Sequence, residues 1–130
     1  MKSRFSHSTC SICGSEYEPE EVTYTCPKDG GNLNIILDSE AIKKKYSPQK
    51  FFDIPEASLW RYLSLLPVDD PGGLGTPLRK AGWTPVYKPT RLAKKLGIKD
   101  LWVKDESPNP TASFKDRASA VVVARAAQIG

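Results

Sequence analysis

The stretch Ser113-Phe-Lys-Asp-Arg-Ala-Ser-Ala-Val-Val-Val-Ala-Arg-Ala-Ala-Gln-Ile-Gly130 decides the fold class. Ser113 with Asp116 three residues on is a capping-box arrangement ahead of an apolar run, and Gly130 is a C-cap residue, so the spacing predicts a helix over 114–129. Its polar positions Ser119, Arg125 and Gln128 fall on a narrow stripe, so most of the circumference has to be covered by protein. The β-branched run Val121-Val-Val123 leaves a strand as the alternative. Working outward, 84–88 reads as a strand, 90–96 as a helix capped by Thr90 and ended by Gly97, and 101–104 as a second strand. A turn through Pro108 and Pro110 fills 107–113. Strand, helix, strand, loop, helix is the opening of an α/β sheet. Two or three strands are too little sheet to cover the last helix, so the sequence reads as the N-terminal part of a longer protein; the alternative is a complete small domain with an edge helix.

Further upstream, 68–82 is a loop dense in turn residues. Residues 56–66 have helical spacing, with Leu59, Tyr62, Leu63 and Leu66 on one face before Pro67. Asp38 and Ser39 are caps for a helix over 41–46 stopped by Pro48. Before that, the β-prone pieces Val22-Thr-Tyr-Thr25 and Leu33-Asn-Ile-Ile-Leu37 flank Pro27-Lys-Asp-Gly-Gly31. The chain therefore divides into a zinc-ribbon-like β segment (1–37), a helical and loop connector (38–82) and the start of an α/β domain (83–130).

With 39% apolar residues and a formal charge of +4, the 130-residue chain can build a core and carries no charge excess that dictates a partner. The nearly apolar run 118–124 is far shorter than the ~20 residues a bilayer requires. The N-terminus Met1-Lys-Ser-Arg-Phe-Ser-His7 lacks the apolar stretch of a signal peptide, which makes the cytoplasm the expected compartment. The Lys43-Lys44-Lys45 run has no interleaved aromatics and reads as a solvated helix face rather than a nucleic-acid patch.

Three cysteines, Cys10, Cys13 and Cys26, cluster near the N-terminus, and an odd number in a reducing compartment argues for metal or free thiols. Cys10-Ser-Ile-Cys13 is half of a zinc knuckle, and Cys26-Pro-Lys-Asp29 begins a second half with Asp29 in the place of a fourth cysteine. Asp29 or His7 would complete a zinc site; a ribbon that has lost its metal is the competing reading. A stand-alone zinc-ribbon module that meets nucleic acid through its basic face is the reading from another functional class.

Lys115 stands at the start of the last helix, where unpaired amides and the positive end of the macrodipole disfavour an ammonium. An accessible neutral amine there, with Phe114 beside it to exclude water, suits Schiff-base formation with an aldehyde cofactor. Arg117 pushes in the same direction and Asp116 against it. Thr111 and Ser113 offer hydroxyls to a phosphate or carboxylate, with loop and cap roles as the plainer explanation.

The string Asn109-Pro-Thr-Ala-Ser-Phe-Lys-Asp-Arg117 resembles the lysine motif of the fold-type II pyridoxal-phosphate family, with Ala112 where glycine is commoner. Ser58-Leu-Trp-Arg-Tyr-Leu-Ser-Leu-Leu-Pro67, Gly82-Trp-Thr-Pro-Val-Tyr87, Leu92-Ala-Lys-Lys-Leu-Gly97 and Leu101-Trp-Val-Lys-Asp-Glu106 are similar, in order and spacing, to segments of the threonine synthase family. The resemblance covers about residues 8–130. It implies a tryptophan synthase β-like fold and a lyase that turns O-phospho-L-homoserine and water into L-threonine and phosphate, with a homodimer as the assembly of the full-length enzyme. It implies that Lys115 carries pyridoxal 5'-phosphate and then serves as general acid and base, with Phe114 packed on the cofactor's side; a core aromatic of the helix start is the alternative reading of Phe114. The family's glycine-rich phosphate loop, its cofactor-hydroxyl asparagine and its pyridine-facing residue all follow the lysine and are not in these 130 residues. The fragment alone is therefore expected to be inactive. Cysteate synthase and threonine dehydratase are the rivals within the same fold type.

Overall fold

The computed structural model describes residues 4–22 and 24–130. Phe5–Cys10 forms β1, the middle strand of a three-stranded antiparallel sheet ordered β2-β1-β3, with β2 at Glu16–Tyr17 and β3 at Leu33–Leu37. Ser8 pairs with Tyr17 on one side, and Cys10 pairs with Leu33 on the other. The strand over 33–37 is the one the pattern predicts. The sequence does not announce β1, because its two buried positions are Ser8 and Cys10 rather than branched apolar residues. The expected strand over 22–25 lies partly outside the described residues; its end survives as an isolated bridge from Thr25 to Asn32. Cys10, Tyr17 and Cys26 form the buried cluster of this segment, flanked by Val22 and Leu33.

Helix α1 (Ser39–Lys45) follows, with the Asp38 carboxylate accepting from the Ala41 amide at 2.9 Å, the cap the sequence predicts. Lys43 donates to Glu40 at 2.9 Å on an exposed face, in keeping with a solvated lysine run. Pro48 does more than stop α1: it occupies the first turn of α2 (Pro48–Asp53), where its missing N–H costs nothing.

The spacing over 56–66 predicts an α-helix with Tyr62 on its buried face, and the structure corrects both points. Leu59–Leu65 is a 3₁₀ helix, kinked at Tyr62 and capped by the Ser58 hydroxyl, which accepts from the Trp60 amide at 3.2 Å. Leu59, Trp60, Arg61, Leu63 and Ser64 lie on the covered side, while Tyr62, 45% exposed, and Leu65 face out. The loop over 68–82 is as expected except for a single turn, α3 (Pro77–Lys80). Strands β4 (Val86–Tyr87) and β5 (Val103–Lys104) flank α4 (Thr90–Leu96), which ends at Gly97 with φ +67°. Pro89, not Thr90, is the N-cap of α4, and no side chain caps it. β4 and β5 pair antiparallel, whereas the strand–helix–strand unit of an α/β sheet is parallel. Five residues between Gly97 and Val103 are enough to bring the chain back beside itself.

Helix α5 (Asp116–Ile129) closes the described chain and excludes the strand alternative for Val121–Val123. Its Ala120 and Ala124 pack on Leu59, Trp60, Leu63, Val68 and Ala81, with Leu66, Leu78 and Val121 at the margin. The large Trp60 side chain fills the space against these small alanines, and its Nε1 donates to the Leu78 carbonyl at 2.9 Å. The expectation that most of α5 is covered is met on this face only; Val122, Val123 and Ile129 are exposed in the described chain. Arg125 reaches back to the Pro19 carbonyl and lies over the Phe5 ring at 5.5 Å, joining the helix to the β segment. Among the described residues, no helix is long and apolar enough to cross a membrane.

Candidate active site

The loop between β5 and α5 folds on its own polar side chains. The Asp105 carboxylate accepts from the Ser107 amide at 2.9 Å, and the Asn109 and Ala112 amides bond the Glu106 and Asn109 carbonyls. Asp116 reaches back across the loop and accepts from both the amide (2.7 Å) and the hydroxyl (2.6 Å) of Thr111. The expected capping box is therefore not formed. Ser113 Oγ instead accepts from the Lys115 amide at 3.2 Å, and Lys115 is itself the N-cap of α5, with φ −64° and ψ −21°. Thr111 is committed to Asp116, and Ser113 to the turn that aims Lys115.

Closing this loop requires φ +55° at Ala112. This is the left-handed region, which costs an L-residue about 1–2 kcal/mol and glycine almost nothing. Ala112→Gly is accordingly expected to stabilise the protein by about 0.5–1 kcal/mol, the relief of strain outweighing the extra freedom of the unfolded chain. Urea unfolding checks this: a lower midpoint in the variant would mean that Ala112 does not hold this conformation.

Lys115 is exposed, and its amine makes no hydrogen bond or ion pair among the described residues. Phe114 is 66% exposed, so its ring is not part of the core of the described chain and stands on open surface next to the lysine. Arg117 is not the free second cation the sequence suggests, because its guanidinium is bound on the other side of the helix start. It donates to Glu106 Oε1 at 2.9 Å and Oε2 at 3.1 Å, and to Thr84 Oγ1 at 2.8 Å. Thr84 Oγ1 in turn donates to Glu106 at 2.8 Å, and Asn109 Nδ2 donates to the same carboxylate at 2.5 Å. Asn109 Oδ1 accepts from the Gly82 amide at 2.9 Å. One carboxylate thus clamps residues 82–84, the loop at 109 and the first turn of α5, and the clamp fixes where Lys115 emerges.

Glu106 and Thr84 carry no role in the sequence reading, although Glu106 three residues before Asn109, in a loop about to enter a helix, is a legible local signal. The guanidinium of Arg117, with the Thr84 and Asn109 hydrogen bonds, holds the Glu106 carboxyl down to about 2 against partial burial. The unfolded chain titrates near the ordinary glutamate value of about 4.3. The clamp's stabilisation is therefore complete above that value and is lost as pH falls toward 2. Glu106→Gln should flatten the acid limb of stability against pH by about one proton in slope. Melting temperatures between pH 5 and pH 2.5 provide the check, and an unchanged acid limb would show that Glu106 is not paired.

Cys10, Cys13, Cys26 and Asp29 come together, their ligand atoms all within 4.8 Å of one another. His7, the alternative fourth ligand, is elsewhere: its Nδ1 is 3.1 Å from Ser6 Oγ and its Nε2 is 3.9 Å from Glu16.

The residues present fit a pyridoxal phosphate at its aldehyde end only. A free, exposed primary amine is the right partner for an aldehyde. The amides of Lys115, Asp116 and Arg117, which would make a phosphate cradle, are already taken by Ser113 and Phe114, so the phosphate has to be held by other parts of the protein.

The family model described as Pyridoxal-phosphate dependent enzyme matches residues 78–130, the part that contains the clamp and Lys115. A threonine synthase of Methanocaldococcus jannaschii is 46% identical over 121 residues, covering 93% of this chain and 29% of that protein. One from Methanosarcina acetivorans is 45% identical over 125 residues, covering 95% and 29%. One from Halalkalibacterium halodurans is 40% identical over 80 residues, covering 56% and 21%. The chain thus spans under a third of the length of these curated relatives, and no solved structure matches it. Residues 78–130 thus match the pyridoxal-phosphate dependent enzymes, and nearly all of the chain is similar to the N-terminal portion of threonine synthases.

Proposed function

We propose that the complete protein is a pyridoxal-phosphate-dependent threonine synthase, a lyase that converts O-phospho-L-homoserine and water to L-threonine and phosphate. The observation that carries this reading is the amine of Lys115, exposed and without a partner among the described residues, held at a helix start by the Glu106 clamp in a chain 46% identical over 121 residues to a threonine synthase. When bound, the cofactor supplies an electron sink for the negative charge that develops next to the substrate nitrogen. The Lys115 amine would hold it, and the same amine would accept and return protons at Cα, Cβ and Cγ of the substrate while phosphate leaves from Cγ. Phe114, beside the lysine, excludes water on the cofactor side. Glu106, Arg117, Asn109 and Thr84 are positioning residues that keep the amine on one trajectory.

In this reading residues 1–37 are a ribbon, 38–82 a connector and 83–130 the start of the cofactor domain; the enzyme works in the cytoplasm, with a homodimer as the expected assembly. The test is to supply the complete protein with cofactor and O-phosphohomoserine and to follow phosphate and threonine together. Equal amounts of both sustain the proposal. Ammonia release from threonine, or a product that requires sulfite, with no phosphate from O-phosphohomoserine, would reassign the protein to a different enzyme of the same cofactor.

A further inference from the structure

The β segment carries a group of side chains that the lysine chemistry does not use. Cys10-Ser-Ile-Cys13-Gly14 and Cys26-Pro-Lys-Asp29-Gly30 fold into the same turn. In the first, the Gly14 amide bonds the Cys10 carbonyl at 3.1 Å with Gly14 at φ +70°; in the second, the Gly30 amide bonds the Cys26 carbonyl at 2.8 Å with Gly30 at φ +72°. Asp29 therefore occupies in its turn the place Cys13 occupies in the other, and the two turns face each other.

The distances between the donor atoms are those of a coordination shell. Around a tetrahedral zinc with bonds of about 2.3 Å to sulfur and 2.0 Å to oxygen, neighbouring sulfurs lie about 3.8 Å apart and sulfur lies about 3.5 Å from oxygen. Cys13 Sγ is 3.7 Å from Cys26 Sγ, and Cys10 Sγ is 3.4 Å from Asp29 Oδ1. The supporting groups are in place as well: the Ile12 amide donates to Cys10 Sγ at 3.3 Å, Tyr17 Oη is 3.1 Å from Cys26 Sγ, and the Gly31 amide donates to Asp29 Oδ1 at 2.8 Å. A Cβ on Gly31 would lie 2.8 Å from Cys10 Sγ and 2.9 Å from Asp29 Oδ1, so only glycine leaves room for the two ligands to converge. Cys10 and Cys26 are buried while Cys13 and Asp29 are exposed, which gives an ion a way in from the rim.

The geometry points to a structural zinc site with three thiolates, Cys10, Cys13 and Cys26, and the carboxylate of Asp29 as fourth ligand. Four protein ligands close the shell, leaving no open position for catalysis. Loading releases one proton from each of the three thiols, Asp29 binds as the carboxylate, and no electrons are exchanged. Zinc and cobalt are the probes, used with the complete protein. After chelator treatment and reconstitution, one equivalent of zinc is expected, and Co²⁺ should give ligand-field bands of tetrahedral intensity with thiolate charge transfer in the near ultraviolet.

Asp29→Ala should weaken zinc binding at least about tenfold, since loss of a supporting group alone costs that much. His7→Ala should leave binding unchanged. Asp29→Cys should keep one equivalent and move the cobalt bands to those of a four-thiolate site, which tests the assignment even if Asp29→Ala does not fold. No zinc uptake, an Asp29→Ala protein of unchanged affinity, cobalt bands in Asp29→Cys identical to those of the parent, or loss of binding in His7→Ala would each overturn the assignment. None of these readouts uses catalytic activity, so they stand apart from the proposed reaction.

Discussion

Lys115→Ala is expected to lower turnover of the complete protein by roughly 10⁴-fold and to abolish the visible absorbance that a lysine-bound pyridoxal phosphate gives. The same change should leave stability within about 0.5 kcal/mol, because the side chain is exposed and its amine has no partner among the described residues. Lys115→Arg should fail equally: it keeps the charge, but a guanidinium does not offer the amine that the aldehyde needs. Absorbance spectra and melting curves of the three proteins, taken together, separate a chemical defect from a structural one. Visible absorbance retained in Lys115→Ala would move the attachment point to another residue and detach the clamp around Glu106 from the chemistry.

Gly82→Ala is the second large effect, and it falls on stability. Gly82 has φ +90°, and a Cβ there would lie 2.8 Å from the backbone nitrogen of Leu59 and 3.1 Å from its Cβ. The left-handed conformation costs alanine about 1–2 kcal/mol, and moving a backbone segment out of the way adds about 1–3 kcal/mol, so a loss of about 2–4 kcal/mol is expected. The segment that has to move carries Trp60 and Leu63 into the core, and the Gly82 amide is the one held by Asn109, so packing and clamp are disturbed together. Gly75 is the control: it has φ +82° but nothing within 4 Å of its would-be Cβ, so Gly75→Ala should cost only the conformational part. Equal unfolding midpoints for the two variants would show that the contact with Leu59 is not made.

What was legible in the sequence follows from how local the deciding physics is. Helices α1, α4 and α5 are announced by caps and spacing, since Asp38, Gly97 and the run after Lys115 act within one or two turns. The 3₁₀ helix is not legible because Leu59, Tyr62, Leu63 and Leu66 satisfy α spacing equally well, while the bonds that hold the segment, from the Leu59 amide to the Ala81 carbonyl and from Trp60 Nε1 to the Leu78 carbonyl, join residues far apart in the chain. β1 was invisible because serine and cysteine fill its buried positions. At the candidate active site the lysine motif points to Lys115, while the clamp is legible only in the local pair Glu106 and Asn109: its other members, Arg117 and Thr84, meet across separations of up to 33 residues. The positive φ at Ala112, conversely, explains why a glycine is the commoner residue at that point of the motif.

Helix α5 is a rod of 14 residues, about 21 Å long, fixed at both ends to different parts of the molecule. Its first turn is gripped by Glu106 through Arg117, and its last turns are moored by Arg125 to Pro19 and Phe5. A strut pinned at two points cannot tilt at one without straining the other. Loosening of the N-terminal segment would thus be transmitted as an angular error to the amine of Lys115, a lever-arm effect in which the mooring at Arg125 sets the aim of a lysine ten residues away.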